Sequence, residues 1–147
     1  MPTLEITIVG HQTIADPLLD VLLVIDDQSF TLDPTQINTI HVDYNIDQVV
    51  EHRFKLCING KKEYLQKFYQ NQLTQNIPDL AYIVDTIQVN NMDVTEILQT
   101  HAKYYHNTNG DTDLIVENYT NWFGCDGELV SSFKTPLFAW FIVDFEF

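Results

Sequence analysis

The sequence predicts a mostly β protein: an antiparallel β-sandwich of the jelly-roll kind, with one or two short helices. Three observations lead there. Apolar side chains recur at every second position in several segments, the period of a strand with one buried face. Turn-forming Asn, Asp, Gly and Pro residues separate those segments at short intervals. Helical spacing is confined to two brief stretches, so the alternating faces must bury one another as packed sheets. The chain has 147 residues, 45% of them apolar and 12% aromatic. That is enough to build one core, and a single domain over 1–147 is expected.

Leu4, Ile6 and Ile8 alternate with Glu5 and Thr7, the mark of a half-buried first strand. Residues 18–25 are apolar almost throughout, which suits a central strand covered on both faces. Asp26-Asp27-Gln28 turns the chain into a short strand over 29–32, a hairpin that Asp33-Pro34 ends. The cleanest alternation follows. Ile40, Val42, Tyr44 and Ile46 face one way; His41, Asp43, Asn45 and Asp47 face the other. Phe54, Leu56 and Ile58 repeat the pattern up to Asn59-Gly60, a pair favoured in type I′ hairpins because both residues tolerate positive φ.

Tyr64, Leu65, Phe68 and Tyr69 then fall at helical spacing. Residues 62–72 are either a short amphipathic helix or an excursion between strands. Pro78-Asp79 closes that segment, and 82–89 resumes as a strand. Asp93-Val94-Thr95-Glu96 has the form of a capping box, with Val94, Ile97 and Leu98 as the apolar face of a brief helix. A polar turn at 107–113 precedes strands near 114–119, 122–123 and 128–133. The aromatic end, 137–147, requires burial by the domain or by a partner.

Charge narrows the partners. Seven Lys and Arg oppose twenty-one Asp and Glu, for a formal net charge of −14. Nucleic-acid binding needs clustered cations, and the one cluster in the sequence, Lys61, Lys62 and Lys67, is too thin for it. Anionic lipid repels such a chain for the same reason. Neutral polymers such as glycans, basic protein surfaces and divalent cations are left. The first residues lack the basic and apolar regions of a secretory signal. The longest apolar run, 137–143, falls far short of the roughly 18 residues of a membrane span. Neither export nor membrane insertion is expected.

No catalytic constellation emerges. Ser29, Ser131 and Ser132 are the only serines, and none sits in a G-x-S-x-G elbow. Cys57 lies in an alternating strand and is expected to be packed; Cys125 lies in a turn with no His near in sequence. Spacing does not decide whether the two pair. His101 and His106 are five apart, which is not a zinc spacing, while His41 and His52 fall on separate strands that can meet in space. Calcium is better served. The loop Asn107-Thr108-Asn109-Gly110-Asp111-Thr112-Asp113 gathers oxygen donors around a glycine, although such residues also make ordinary turns. Tyr104, Tyr105, Tyr119 and Trp122 flank the loop, and an exposed ring offers a sugar a flat apolar face. The alternative places Trp122 and most of the tyrosines in the core. Asp111, Asp113, Tyr119 and Trp122 are the candidate ligand-binding residues.

A resemblance adds a setting. Trp122-Phe123-Gly124-Cys125-Asp126-Gly127, followed by Phe133-Lys134-Thr135-Pro136-Leu137-Phe138-Ala139-Trp140, resembles the ending of small proteins of T4-like marine cyanophages. The stretch from Ile83 to Asp93, and His106 with Asn109-Gly110, are similar to theirs as well. More loosely, Asp16-Pro17-Leu18, the hairpin after it and Glu51-His52-Arg53-Phe54 look like calcium-dependent carbohydrate-binding modules. The resemblance implies a sandwich fold and a virion or phage-accessory role, in the particle or in the host cytoplasm during infection. The expected function is that of a non-enzymatic capsid decoration or fibre-associated subunit acting through phage structural proteins. Its docking element would be Phe138, Trp140, Phe141, Phe145 and Phe147, and a homo-oligomer is compatible with it. The alternative is a module for surface glycans, assisted by calcium.

Overall fold

The alternation at Leu4, Ile6 and Ile8 forms β1 (Thr3–Gln12), with all three side chains 1% exposed. The structure is a computed structural model, and it describes residues 3–44, 48–70 (backbone alone for 68–70), 77–110, 112–118 and 121–135. The remaining strands are β2 (Asp20–Ile25), β3 (Gln28–Leu32), β4 (Asn38–Asp43), β5 (Val50–Asn59), β6 (Tyr82–Val89), β7 (Met92–Asp93), β8 (Lys103–His106), β9 (Ile115–Asn118), β10 (Trp122–Phe123) and β11 (Gly127–Thr135). Two helices, α1 (Lys61–Gln70) and α2 (Thr95–His101), interrupt them. One sheet runs β10-β6-β1-β4, with β7 paired to β6; the other runs β3-β2-β5-β11-β8-β9. Every pairing is antiparallel. The expected sandwich is the fold.

The inner faces supply the core. Leu4, Ile6, Ile8, Val84 and Ile87 from the first sheet meet Leu23, Ile25, Phe54, Leu56, Ile58 and Leu129 from the second. Tyr104 of β8 crosses to Phe123 of β10 edge-on, ring centroids 5.1 Å apart. Val94, at the start of α2, and Leu98 within it face the core, as their spacing predicts, and line a small apolar cavity with Ile6, Phe54 and Phe133. Lys61, at the start of α1, is buried and satisfied: its ammonium donates to Asp79 Oδ1 at 2.7 Å and to the Leu80 carbonyl at 2.6 Å.

Several expectations need correction. Residues 18–25 are not covered on both faces. Val21, Leu23 and Ile25 are buried, but Leu22 and Val24 are half-buried on the sheet's outer face and Leu18 is exposed. Asn59-Gly60 makes no hairpin. Gly60 takes φ 115 and leads into α1, the helical alternative for that segment. A two-residue hairpin with positive φ at both positions lies instead at Asn90-Asn91, where φ values of 51 and 65 join Val89 to its partner Met92. Asp93 is not the N-cap of α2; that position is Val94. The Asp93 carboxylate instead accepts from the Thr95 N–H at 2.9 Å and its hydroxyl at 2.6 Å, and these bonds hold it below the usual carboxylate range. Ile46 and Asp47 lie outside the described residues.

Between β1 and β6 the register slips: Val9 pairs with Thr86 and Gly10 with Val84, so Asp85 bulges out and meets His11 Nδ1 at 3.0 Å. A Cβ on Gly10 would lie 2.8 Å from the Ile83 carbonyl, which is why the bulge needs a glycine opposite it.

Candidate functional site

The register stacks the ends of four strands of the six-stranded sheet. Gly127 pairs with Ile58 on one side and His106 on the other, and His106 pairs with Ile115. Above them the loops after β5, after β8 and before β11 enclose an open groove of about 320 Å³. Asn59, Tyr105, His106, Asn107, Leu114, Asp126 and Gly127 line it.

Each wall has a local cause. The Asp126 carboxylate accepts from the N–H groups of Lys61 and Lys62 at 2.8 and 3.1 Å, doing for the first turn of α1 what an N-cap would do. Its own N–H donates to Asn109 Oδ1 at 2.9 Å, tying the polar loop to the start of β11. Asn107 closes that loop on itself: Gly110 N–H donates to its Oδ1 at 2.8 Å and Thr112 N–H to its carbonyl at 3.0 Å. His106 is buried and stacked on Tyr104, centroids 5.2 Å apart. Because Thr108 N–H donates to its Nδ1 at 3.1 Å, the proton of a neutral ring sits on Nε2, which donates to Glu117 Oε2 at 3.0 Å. The Tyr104 hydroxyl donates to the Cys125 carbonyl, and burial, with Cys125, Asp126 and Glu117 adding to it, pushes its ionisation far above the usual tyrosine range.

Tyr105 is half-buried and points to the outer face of the sheet, in one cross-strand row with Cys57, Glu128 and Val116. Leu114, 68% exposed, stands at the rim. The groove is thus lined by one aromatic residue, two asparagines and a carboxylate already bonded to a helix start, with the His106 ring buried beneath and bonded at both nitrogens. Such a mixture suits a polar ligand with flat apolar patches.

Of the candidate ligand-binding residues, the two that are described, Asp113 and Trp122, stand on different sheets' loops and edges. Asp113 is exposed in the loop beside Leu114, while Trp122, 46% exposed, sits opposite Ile83 on the edge of the other sheet. Asp111 and Tyr119 lie outside the described residues, as do Phe138, Trp140, Phe141, Phe145 and Phe147. Tyr104 is core, not a platform, at 2% exposure. Strand β8 carries it, and four residues are too few for their alternation to stand out in sequence. His41 and His52 do not meet: His41 is on β4, near Glu5 at 3.4 Å, and His52 is on β5 in the other sheet.

Two further points bear on chemistry. Among the described residues no three His, Cys, Asp or Glu stand together as a metal would need. The amide oxygens of Asn107 and Asn109 each accept a hydrogen bond within the protein. Asp26, His52 and Thr135 form a carboxylate–imidazole–hydroxyl chain, with both contacts at 2.8 Å. Thr135 is 0% exposed, so its hydroxyl faces no substrate, and the chain instead clamps the β2–β3 turn to β5 and β11. Both cysteines are free thiols, and burial raises the ionisation of each, with Glu128 adding to it at Cys57. Raised thiols are poor nucleophiles near neutral pH.

No family model matches this chain, and no curated protein does. Among solved structures it is similar to one described as a vCBM60 in complex with galactobiose, at 15% identity over 86% of this chain and 95% of that chain, with a TM-score of 0.42. A likeness so distant bears on neither function nor site; the fold rests on the strand pairings above.

Proposed function

We propose that the protein is a non-enzymatic glycan-binding module whose site is the groove at the end of the six-stranded sheet. The observation that carries this is the Tyr105 ring set beside Asn59 and Asn107 in an open, water-accessible groove. A pyranose offers an apolar face to an aromatic ring and hydroxyls to amides, and such shallow mixed sites match it. The depressed reactivity of both thiols and the burial of Thr135 support binding without turnover. Tyr105→Ala is expected to weaken binding of array-selected glycans about tenfold or more, roughly 1.4 kcal/mol, at an unchanged melting temperature. Calorimetric titration, run with and without chelator, reads this out, and no effect of chelator is expected. Full affinity in the Tyr105→Ala protein would remove the reading.

A second reading, a decoration or fibre-associated subunit of a phage particle, draws on Leu114 and on Val116, 52% exposed on β9, the last strand of its sheet among the described residues. Exposed apolar side chains on such a strand favour contact with another chain. Mass spectrometry of purified particles decides it: the chain's presence supports the reading, and its absence from the virion removes it.

A further inference from the structure

The cations of this acidic chain are not scattered. Lys61, Lys62 and Lys67 belong to α1. The other four of the seven, Arg53, Lys55, Lys103 and Lys134, lie on strands of the six-stranded sheet, at positions that alternate with buried Phe54, Leu56, Tyr104 and Phe133. All four therefore project from its outer face. Among the described residues, three carboxylates, Asp20, Glu51 and Glu128, stand at strand positions on that face. The strands of the opposite sheet contain no Lys or Arg, and their outer side carries Glu5, Asp43 and Asp93 as well as the bulged Asp85. A molecule of net charge −14 thus has one sheet face on whose described strand positions four cations stand against three anions. The groove opens at the end of that face.

Resting on the glycan reading above, we infer that the ligand is an acidic polysaccharide, its carboxylates met by Arg53, Lys55 and Lys103 while one ring lies on Tyr105. The register sets the spacing. Lys103 precedes Tyr105 by two residues on β8, so the two project from the same face about 7 Å apart along the strand. Lys55 occupies the same cross-strand row as Lys103, with Val130 between them, two strand spacings or about 10 Å away. Arg53 stands one row further along β5, paired with Ser132. Asn118 Oδ1 orients the Lys103 ammonium at 2.6 Å. Positive groups stepped at such intervals match a chain with a charge on successive sugars better than a single anion. The guanidinium fork of an arginine matches a carboxylate in particular. Of the acids nearest the ring, Asp126 is turned to two N–H groups of α1, whereas Glu128 is paired directly with Tyr105 and opposes an anion there, so the charged groups of the ligand belong on the Lys103, Lys55 and Arg53 rows.

The test is calorimetric titration of the whole chain with a short oligogalacturonate and with the same oligomer fully methyl-esterified. The acid form is expected to bind at least about tenfold more tightly than the ester, roughly 1.4 kcal/mol. The double variant Arg53→Gln, Lys55→Gln is expected to lose a similar factor toward the acid form only, with the melting temperature retained. Should that variant not fold, acid against ester on the unaltered chain decides alone. Equal affinity for acid and ester, or binding confined to neutral oligosaccharides, overturns the inference and leaves the glycan reading standing. Binding to no glycan of either kind overturns both. Equal affinity for a single-stranded oligonucleotide also overturns it, since the face would then accept any polyanion.

Discussion

Gly127→Ala is expected to cost about 3 kcal/mol, or to prevent folding altogether, although the substitution adds one methyl group. The reason is space. A Cβ at Gly127 would lie 2.3 Å from the Tyr105 carbonyl oxygen, 2.9 Å from His106 Cβ and 3.2 Å from a Tyr104 ring carbon. Two of those atoms belong to the backbone or sit directly on it, and β8 is held at hydrogen-bonding distance from β11 by its pairing. Relief therefore means parting the two strands, which also opens the groove and breaks the stack of Tyr104 on His106. Gly124→Ala is the control. There a Cβ meets only the Trp122 indole, at 3.4 Å, and stability is expected to change little. Urea unfolding midpoints of the two variants measure the difference. An unaltered midpoint for Gly127→Ala would mean that β8 and β11 are not apposed as described.

Stability is also expected to fall steeply in alkali, with Tyr82 as a main cause. Its side chain is fully buried, and its hydroxyl finds no partner among the described residues. Burial first, and the Asp85 carboxylate second, push its ionisation up to about 12 from the ordinary 10.0. The folded state thus holds this proton more tightly than the unfolded chain does. Its contribution is fully present below about pH 10 and is lost as pH rises toward and beyond about 12, a change of about 3 kcal/mol. Tyr104 is shifted in the same direction and adds to the loss. Tyr82→Phe removes a buried hydroxyl that makes no bond, so the variant is expected to be about 1 kcal/mol more stable at neutral pH. It is also expected to keep its stability further into alkali. Denaturant midpoints followed with pH for both proteins test this. Coincident curves would place the Tyr82 hydroxyl in contact with water or with a partner.

The strands most legible in the sequence are those whose alternation runs long: Leu4-Ile6-Ile8 and Phe54-Leu56-Ile58 are core strands, as their period requires. The errors fall where a local rule was outvoted from a distance. Asn59-Gly60 carries a hairpin signal, yet the Asp126 carboxylate, sixty-odd residues away, accepts the first N–H groups of a helix there and Gly60 supplies the positive φ that enters it. Asn90-Asn91 carries the same turn chemistry without the glycine that advertises it. Among the candidate ligands, Asp113 lies in the loop at the groove end and Trp122 on the opposite sheet, because the chain changes sheets between β9 and β10.

By itself, then, the order of residues determined which side of each long strand is apolar, since that follows from neighbours two positions apart, and hence a two-layer β fold with an acidic exterior. Only the tertiary structure decided where that exterior is not acidic. Arg53, Lys55, Lys103 and Lys134 are spread over eighty-odd positions and form no cluster along the chain. Strand register places them on one face, and register is set by pairings between segments far apart in sequence. The same pairings bring Asn59, Tyr105, Asn107 and Asp126 to one groove.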